Sequence, residues 1–289
     1  LFEMEFSEPR NLYVLIDLNK ERLTLGGLLT ILVEASMICE NSNKTNIILS
    51  IQGNLLGQAL TPEKIENIGK GLLIPTNIVY APPSTVDWPD QSEIENDFSY
   101  FSLKRVNDLY SKTQIKPVLS WNNQLTMSVA KSLSHLPNDV IGVHLKQQNT
   151  DVSEISNADI PVWIEAINRV SSAQQITFLL LGEDNIPKEL LSTTNLISAT
   201  SLKLDLVEQL AAVQSISGII GTASGFMSGA IFSDVPYIIF KHEQHHAAEM
   251  EQEIGAGSNF GFASKNQLLL RKMPTVPELE NAFNRLLSK

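Results

Sequence analysis

The stretch from 218 to 240, GIIGTASGFMSGAIFSDVPYIIF, contains a whole strand–turn–helix–strand unit. An apolar strand over 218–221 empties through Thr222, Ala223, Ser224 and Gly225 into a helix over 226–233. Pro236 then opens a second apolar strand over 237–240. Two short strands joined by a helix form a parallel crossover, which commits this part of the chain to an open α/β sheet. The turn also aims backbone amides and two hydroxyls at one spot, and the helix N-terminus adds positive potential there. Such a turn is a seat for a phosphate, although Gly and Ser also serve simply to make a turn and cap a helix. Gly225, Gly229 and Ala230 let the helix approach the sheet and a ligand approach the backbone.

The same alternation runs through the rest of the chain. Strands are predicted over 12–18, 46–51, 77–80, 117–121, 140–145, 176–181 and 195–199. Helices are predicted over 25–40, 62–70, 101–111, 160–171, 204–215, 242–254 and 276–287. Right-handed crossovers put the carboxyl ends of all strands in a sheet, with their loops, along one edge. Two blocks suit the spacing better than one wide sheet. A helical connector over 121–137 separates a first domain, residues 1–125, from a second, 126–289. The polar run 82–98, PPSTVDWPDQSEIENDF, reads as a long loop, either solvated or a lid over a substrate.

A length of 289 residues gives each block room for its own core, and a hydrophobic content of 43% is ordinary for a globular protein. The net charge of −11 argues against a nucleic-acid binder with a broad basic face. The lone Cys39 sits in an apolar helical stretch and has no second cysteine for an intramolecular disulfide. No run of about 18 apolar residues is present, so no transmembrane segment is expected. A chain that begins at Leu1 rather than Met leaves a preceding segment open.

The Thr222–Ala223–Ser224–Gly225 turn, its helix and the Pro-led strand resemble the nucleotide-sugar site of GT-B glycosyltransferases, in particular the heptosyltransferase-like and fucosyltransferase-like groups. The resemblance covers about 139–289. Heptosyltransferase-like chains carry an acidic residue before the Ser/Thr-Gly pair and a His three residues after the Gly, where this chain has Ala223 and Ser228. The strand ending His144-x-Lys146 is similar to a His-x-Arg strand of the fucosyltransferase-like enzymes, whose Arg holds the donor diphosphate. Lys146 keeps that charge without the bidentate geometry. The resemblance implies two Rossmann-like parallel-sheet domains with a cleft between them. It further implies a nucleotide-sugar donor as co-substrate rather than a bound cofactor, and no metal. Its acceptor would be the hydroxyl of a glycan, lipid or protein. The location implied is cytoplasmic, or peripheral at the inner membrane face, and a homo-oligomer is compatible with the sequence.

Other candidates follow the strand ends. His144 and Lys146 point to one face of their strand. Gly182 permits a sharp exit after the strand over 176–181, and Glu183 beyond it could hydrogen-bond a ribose or a base. Ser201, read as a helix N-cap, marks the loop that lines the base pocket in the resembled enzymes. Lys241 and His242 follow the last strand and project over the same edge. In the first block an Asp follows the first glycine of the resembled loop, where this chain has Gly27. Asp17 and Glu21 are then the nearest carboxylates for a catalytic base.

A competing pattern is His242-Glu243-Gln244-His245-His246, which satisfies the His-Glu-x-x-His signature of a zinc hydrolase. It needs both histidines on one helix face and a third ligand, and Glu249, Glu251 and Glu253 lie too close along the same helix to supply one. The expectation is therefore a metal-independent glycosyltransferase. A nucleotide-sugar epimerase or hydrolase of the same fold, a non-catalytic nucleotide-sugar-binding relative, and the zinc hydrolase are the alternatives.

Overall fold

The computed structural model describes residues 10–56, 58–90, 98–136, 139–147, 155–182, 188–193 and 195–288. In the first half the elements are β1 (Asn11–Asp17), α1 (Leu25–Ser42), β2 (Asn46–Gln52), α2 (Pro62–Gly71), β3 (Thr76–Val79), α3 (Leu103–Thr113) and α4 (Asn123–Leu133). The second half continues with β4 (Val140–His144), α5 (Ile160–Ala173), β5 (Thr177–Leu180), α6 (Lys188–Leu191), β6 (Leu196–Ser198) and α7 (Leu206–Ala212). It closes with β7 (Gly218–Thr222), α8 (Ser228–Ile231), β8 (Tyr237–Phe240), α9 (Ala247–Ile254), β9 (Gln267–Leu270) and α10 (Val276–Leu287). They build two Rossmann-like units, a sheet of order β1-β2-β3 and a sheet of order β6-β5-β4-β7-β8-β9. Every strand pairing is parallel.

The central strands of the second sheet end in register. His144 lies beside Gly221, and Thr222 beside Phe240, so the loops after β4, β7 and β8 open at one edge. In the first half α1 is buried along most of its length, as expected of a helix with apolar residues all round. Thr24 caps its start by accepting from the Gly27 amide at 3.1 Å, and left-handed Asn43 ends it. One continuous apolar cluster links α1 and β1 with Phe226, Met227 and Ala230 of the second half.

Three features differ from the sequence expectations. Residues 117–121 form no sheet strand. Their polar backbone groups bond to both halves instead: the Leu119 amide donates to Phe232 O, and Leu119 O accepts from Gln214 Nε2. Ser120 O accepts from the Leu73 amide, so the segment acts as a strap. The edge strand β9 was not expected, because a four-residue QLLL run between polar residues is too short to show a period. The helix after the 222–225 turn spans only Ser228–Ile231, preceded by tight turns.

The last helix packs on α5 and β7. Its apolar stripe Leu279, Ala282, Phe283 and Leu286 covers the outer face of the second sheet, where Phe283 meets Phe178 and Trp163 edge-on. Removing that cover would expose a second apolar cluster that includes Ile141, Val143 and Ile220.

Candidate functional site

A cleft of about 1730 Å³ lies between the carboxyl edges of the two sheets. From the second half it is lined by His144, Lys146, the turn 223–228, Lys241, His245, His246, Glu249 and Glu253. Lys20, Glu21, Arg22, Thr24, Leu25, Gly26, Lys64 and Arg105 contribute from the first half.

His144 sets the shape of the turn. It is buried, its ring stacks on Phe226 at 4.8 Å, and Nδ1 lies 2.9 Å from Leu181 O. A carbonyl only accepts, so Nδ1 carries the proton, and in the neutral ring Nε2 accepts from Ser224 Oγ at 2.6 Å. Ser224 Oγ in turn accepts from the Phe226 amide at 3.2 Å. Gly182, at φ +108°, is required for this packing, since a Cβ there would sit 2.5 Å from His144 Nδ1. Thr222 Oγ1 accepts from the Lys146 amide at 2.7 Å and fixes the backbone at the end of β4. The amides of Ser224 and Gly225 have no hydrogen-bond partner among the described residues.

Across the cleft the N-terminus of α1 approaches the same turn. A Cβ on Gly225 would lie 2.8 Å from the Gly26 amide nitrogen, and one on Gly26 would lie 3.2 Å from Ser228 Oγ. Two glycines from opposite halves thus allow backbone-to-backbone contact. With only four residues in α8, the longer helix dipole at the cleft belongs to the eighteen-residue α1.

Positive groups surround this junction. Lys146 Nζ donates to Ser156 Oγ at 2.8 Å and lines the cleft. Burial pulls the Lys241 ammonium below the usual lysine range, against the opposing pull of Glu253 and Glu249. Burial, then the charges of His246, Lys146, Lys241 and His242, holds His245 down to about 4, so its ring is neutral at pH 7. Its Nδ1 is occluded and has no partner among the described residues.

The carboxylates at the cleft already have partners. Glu21 accepts from Ser99 Oγ at 3.0 Å and from the Tyr100 amide at 2.6 Å. Asp108 pairs with Lys104, Glu249 lies 3.6 Å from His246, and Glu253 accepts from the Leu103 amide at 3.2 Å. Burial raises the Glu253 carboxyl. Buried Glu34 takes the Arg105 guanidinium in a bidentate pair at 2.7 and 2.9 Å, and the same guanidinium donates to Ser99 O at 2.7 Å. That pair pins residues 98–101 against α1.

The cleft therefore gathers seven of the sequence candidates: His144, Lys146, Ala223, Ser224, Gly225, Lys241 and Glu21. Thr222 and Gly182 stand behind it as positioning residues. Ser201 lies in an exposed turn, donating to Ser198 O, while the helix it was read to cap begins after Asp205, which forms a capping box with Glu208. Asp17 lines a separate pocket and not the cleft, and Glu183 lies outside the described residues.

Residues 242–246 form turns, and His246 is left-handed at the start of α9. His242 and His246 therefore do not share a helix face, and His242 accepts from the Gln244 amide away from the cleft. Among the described residues no three His, Cys, Asp or Glu side chains are grouped to hold a metal ion. Sequence reasoning singled out His242 and missed His245, because the left-handed residue that starts α9 has no signature in the sequence. It also missed Arg105 and Glu34, whose pairing is a long-range contact.

Two parallel-sheet units facing each other across such a cleft make the GT-B glycosyltransferase fold. A glycosyl transferase family 9 protein from Veillonella parvula is similar over 97% of this chain and 98% of its own, with a TM-score of 0.59 at 9% identity. The E. coli heptosyltransferase WaaC, solved with ADP, is similar over 96% of this chain and 99% of its own, with a TM-score of 0.53 at 12% identity. No protein-family model matches the chain, and no curated protein matches it in sequence.

Proposed function

We propose that this chain is a metal-independent glycosyltransferase that takes its sugar from a nucleotide-sugar donor bound in the cleft. The observation that carries this reading is the meeting of the Ser224 and Gly225 amides, unpaired among the described residues, with Lys146 and Lys241 at one sheet edge. Amides and ammonium groups converging at the carboxyl ends of β4, β7 and β8 suit a diphosphate. Stabilising the charge that grows on a leaving nucleoside diphosphate is the electrostatic work such a transfer requires. Charged hydrogen bonds of this type are each worth about 1.5–3 kcal/mol. The cleft exceeds the roughly 300–1,000 Å³ of a single small-molecule pocket, which leaves space for an acceptor beside the donor. His144 and Thr222 hold the turn and the Lys146 backbone in place.

A second reading, a non-catalytic nucleotide-sugar binder, is favoured by one specific observation. Glu21, Asp108, Glu249 and Glu253, the carboxylates that line the cleft, all have partners, and Gly27 occupies the position of the base in the resembled enzymes. A thermal-shift panel of nucleoside diphosphates and their sugar conjugates tests binding. A ligand at 100 times its Kd should stabilise the fold by about 2.7 kcal/mol. Ser224→Glu puts a carboxylate in the anion seat and is expected to abolish that shift. Release of nucleoside diphosphate from the stabilising conjugate, with an acceptor present, supports the transferase; stabilisation with no turnover over any acceptor supports the binder. No shift from any conjugate overturns both.

A further inference from the structure

A second pocket, of about 510 Å³, lies on the first sheet apart from the donor cleft, walled by Leu15, Val86, Pro89, Phe98 and Tyr100 and bordered by Asp17, Lys20 and Gln52. Its floor is a sheet face that no helix covers among the described residues. Along β1 the residues facing the helices are buried while Tyr13, Leu15 and Asp17 stay half-buried, and the chain passes over that face at Trp88, whose carbonyl accepts from the Leu15 amide. Asp17 and Gln52 end two paired strands side by side, at the carboxyl edge where open α/β sheets receive ligands.

The wall is firmly held. Phe98 meets Trp88 and Tyr100 edge-on at 5.7 and 5.6 Å and carries the Arg105 guanidinium 4.3 Å above its ring. The Tyr100 hydroxyl donates to Asp17 O at 2.9 Å, and burial pushes it up to about 12, so it stays protonated. The polar border, by contrast, has unused capacity. Asp17 Oδ1 accepts from Asn19, while Oδ2, the Lys20 ammonium and the Gln52 amide have no partner among the described residues. Lys20 and Phe98 line the donor cleft as well, so the pocket adjoins it.

We propose that this pocket binds one sugar ring of a glycan acceptor, away from the hydroxyl that reacts. A pyranose has an apolar C–H face and a rim of hydroxyls. The first fits the Phe98, Tyr100 and Pro89 wall. The second needs a carboxylate, an amide that both donates and accepts, and a further donor, which Asp17, Gln52 and Lys20 supply. An acyl chain would leave these three groups facing hydrocarbon, and a phosphate would meet the Asp17 carboxylate. Asp17 is thereby an acceptor-binding residue rather than the base. The acceptor role rests on the glycosyltransferase reading; ring binding does not.

The test titrates methyl glycosides of glucose, galactose, mannose and N-acetylglucosamine into the protein, followed by saturation-transfer NMR and tryptophan fluorescence, with and without ADP. At least one glycoside should saturate, and Gln52→Ala and Asp17→Asn should each weaken it about tenfold. Nucleotide affinity in the same variants should be unchanged. Should Asp17→Asn loosen its turn, Gln52→Ala alone decides. Failure of every glycoside to saturate, equal affinity in Gln52→Ala, or saturation by octanoate alone would overturn the proposal. Glycoside binding without any nucleotide binding would leave this pocket in place and defeat the donor assignment instead.

Discussion

β4 is buried at every position, whereas β1 is buried only at alternate ones. The difference extends to the neighbours of each: β5, β7 and β8 are buried throughout, while β3 alternates between half-buried and exposed positions. The six-stranded sheet is covered on both faces by apolar clusters and ends in a turn whose hydroxyls are bonded internally. The three-stranded sheet is covered by helices on one face and by a loop held through polar contacts on the other. A chain that must hold one invariant diphosphate needs a rigid platform. A chain that must admit a variable partner needs a face that side chains and loops can tailor. Under the function proposed above, the two needs fall on different sheets.

The most severe way to break that contrast is Gly221→Ala. A Cβ there would sit 2.1 Å from the carbonyl oxygen of His144 in the neighbouring strand, with no flexible group to yield. More than about 4 kcal/mol of destabilisation is expected, or no soluble protein, by urea unfolding. Gly53→Ala, at a turn of φ +103° beside the first sheet, is expected to cost only about 1–2 kcal/mol. Equal losses at the two sites would erase the distinction between the sheets.

Next in size is Arg105→Ala, which strips buried Glu34 of its guanidinium and releases Ser99. Breaking a buried pair in this way costs about 3–5 kcal/mol. The same variant should speed proteolysis at residues 98–101 while leaving the second sheet's amide protection intact. Loss of protection throughout would mean that the two halves unfold as one unit.

The sequence exposed the rigid half better than the tailored one, for physical reasons. Continuous apolar runs such as Ile219-Ile220 and Ile238-Ile239-Phe240 mark fully buried strands, and Thr275 with Glu278 marks the start of α10 as a capping box. The turn at 222–225 was visible as well. What it does with its hydroxyls was not, because the partners of Thr222 and Ser224, the Lys146 amide and the His144 ring, lie at and just beyond the end of β4, 76 and 80 positions away in the chain. The pocket at Asp17 was not legible for the same reason: Val86, Pro89, Phe98 and Tyr100 of its wall are distant in sequence from Asp17 and Gln52, and the run 82–98 reads equally as a solvated loop or a lid.

Smaller effects sharpen the picture. Ser224→Ala deprives His144 Nε2 of its partner and should cost about 1 kcal/mol, with a few-fold loss of nucleotide affinity as the turn loosens. An unaltered affinity would show that the turn holds its shape without His144. The last expected effect is on pH dependence. The folded state keeps His245 near 4, below its value of about 6.5 in an unfolded chain, so the unfolded state binds more protons between those limits. Stability should therefore rise with pH across that window, and His245→Gln should flatten the rise in urea midpoints. An unchanged slope would show that His245 is solvated more fully than its surroundings indicate.

The central claim is that the rigid sheet edge holds a nucleoside diphosphate through the 224–225 amides, Lys146 and Lys241. Titration calorimetry of ADP, UDP and GDP against the parent protein and the Lys146→Ala/Lys241→Ala double variant tests it most directly. At least one nucleotide should bind the parent, and the double variant should lose tenfold or more of that affinity with its circular dichroism unchanged. A double variant that binds as tightly as the parent, or a parent that binds none of the three, would contradict the account.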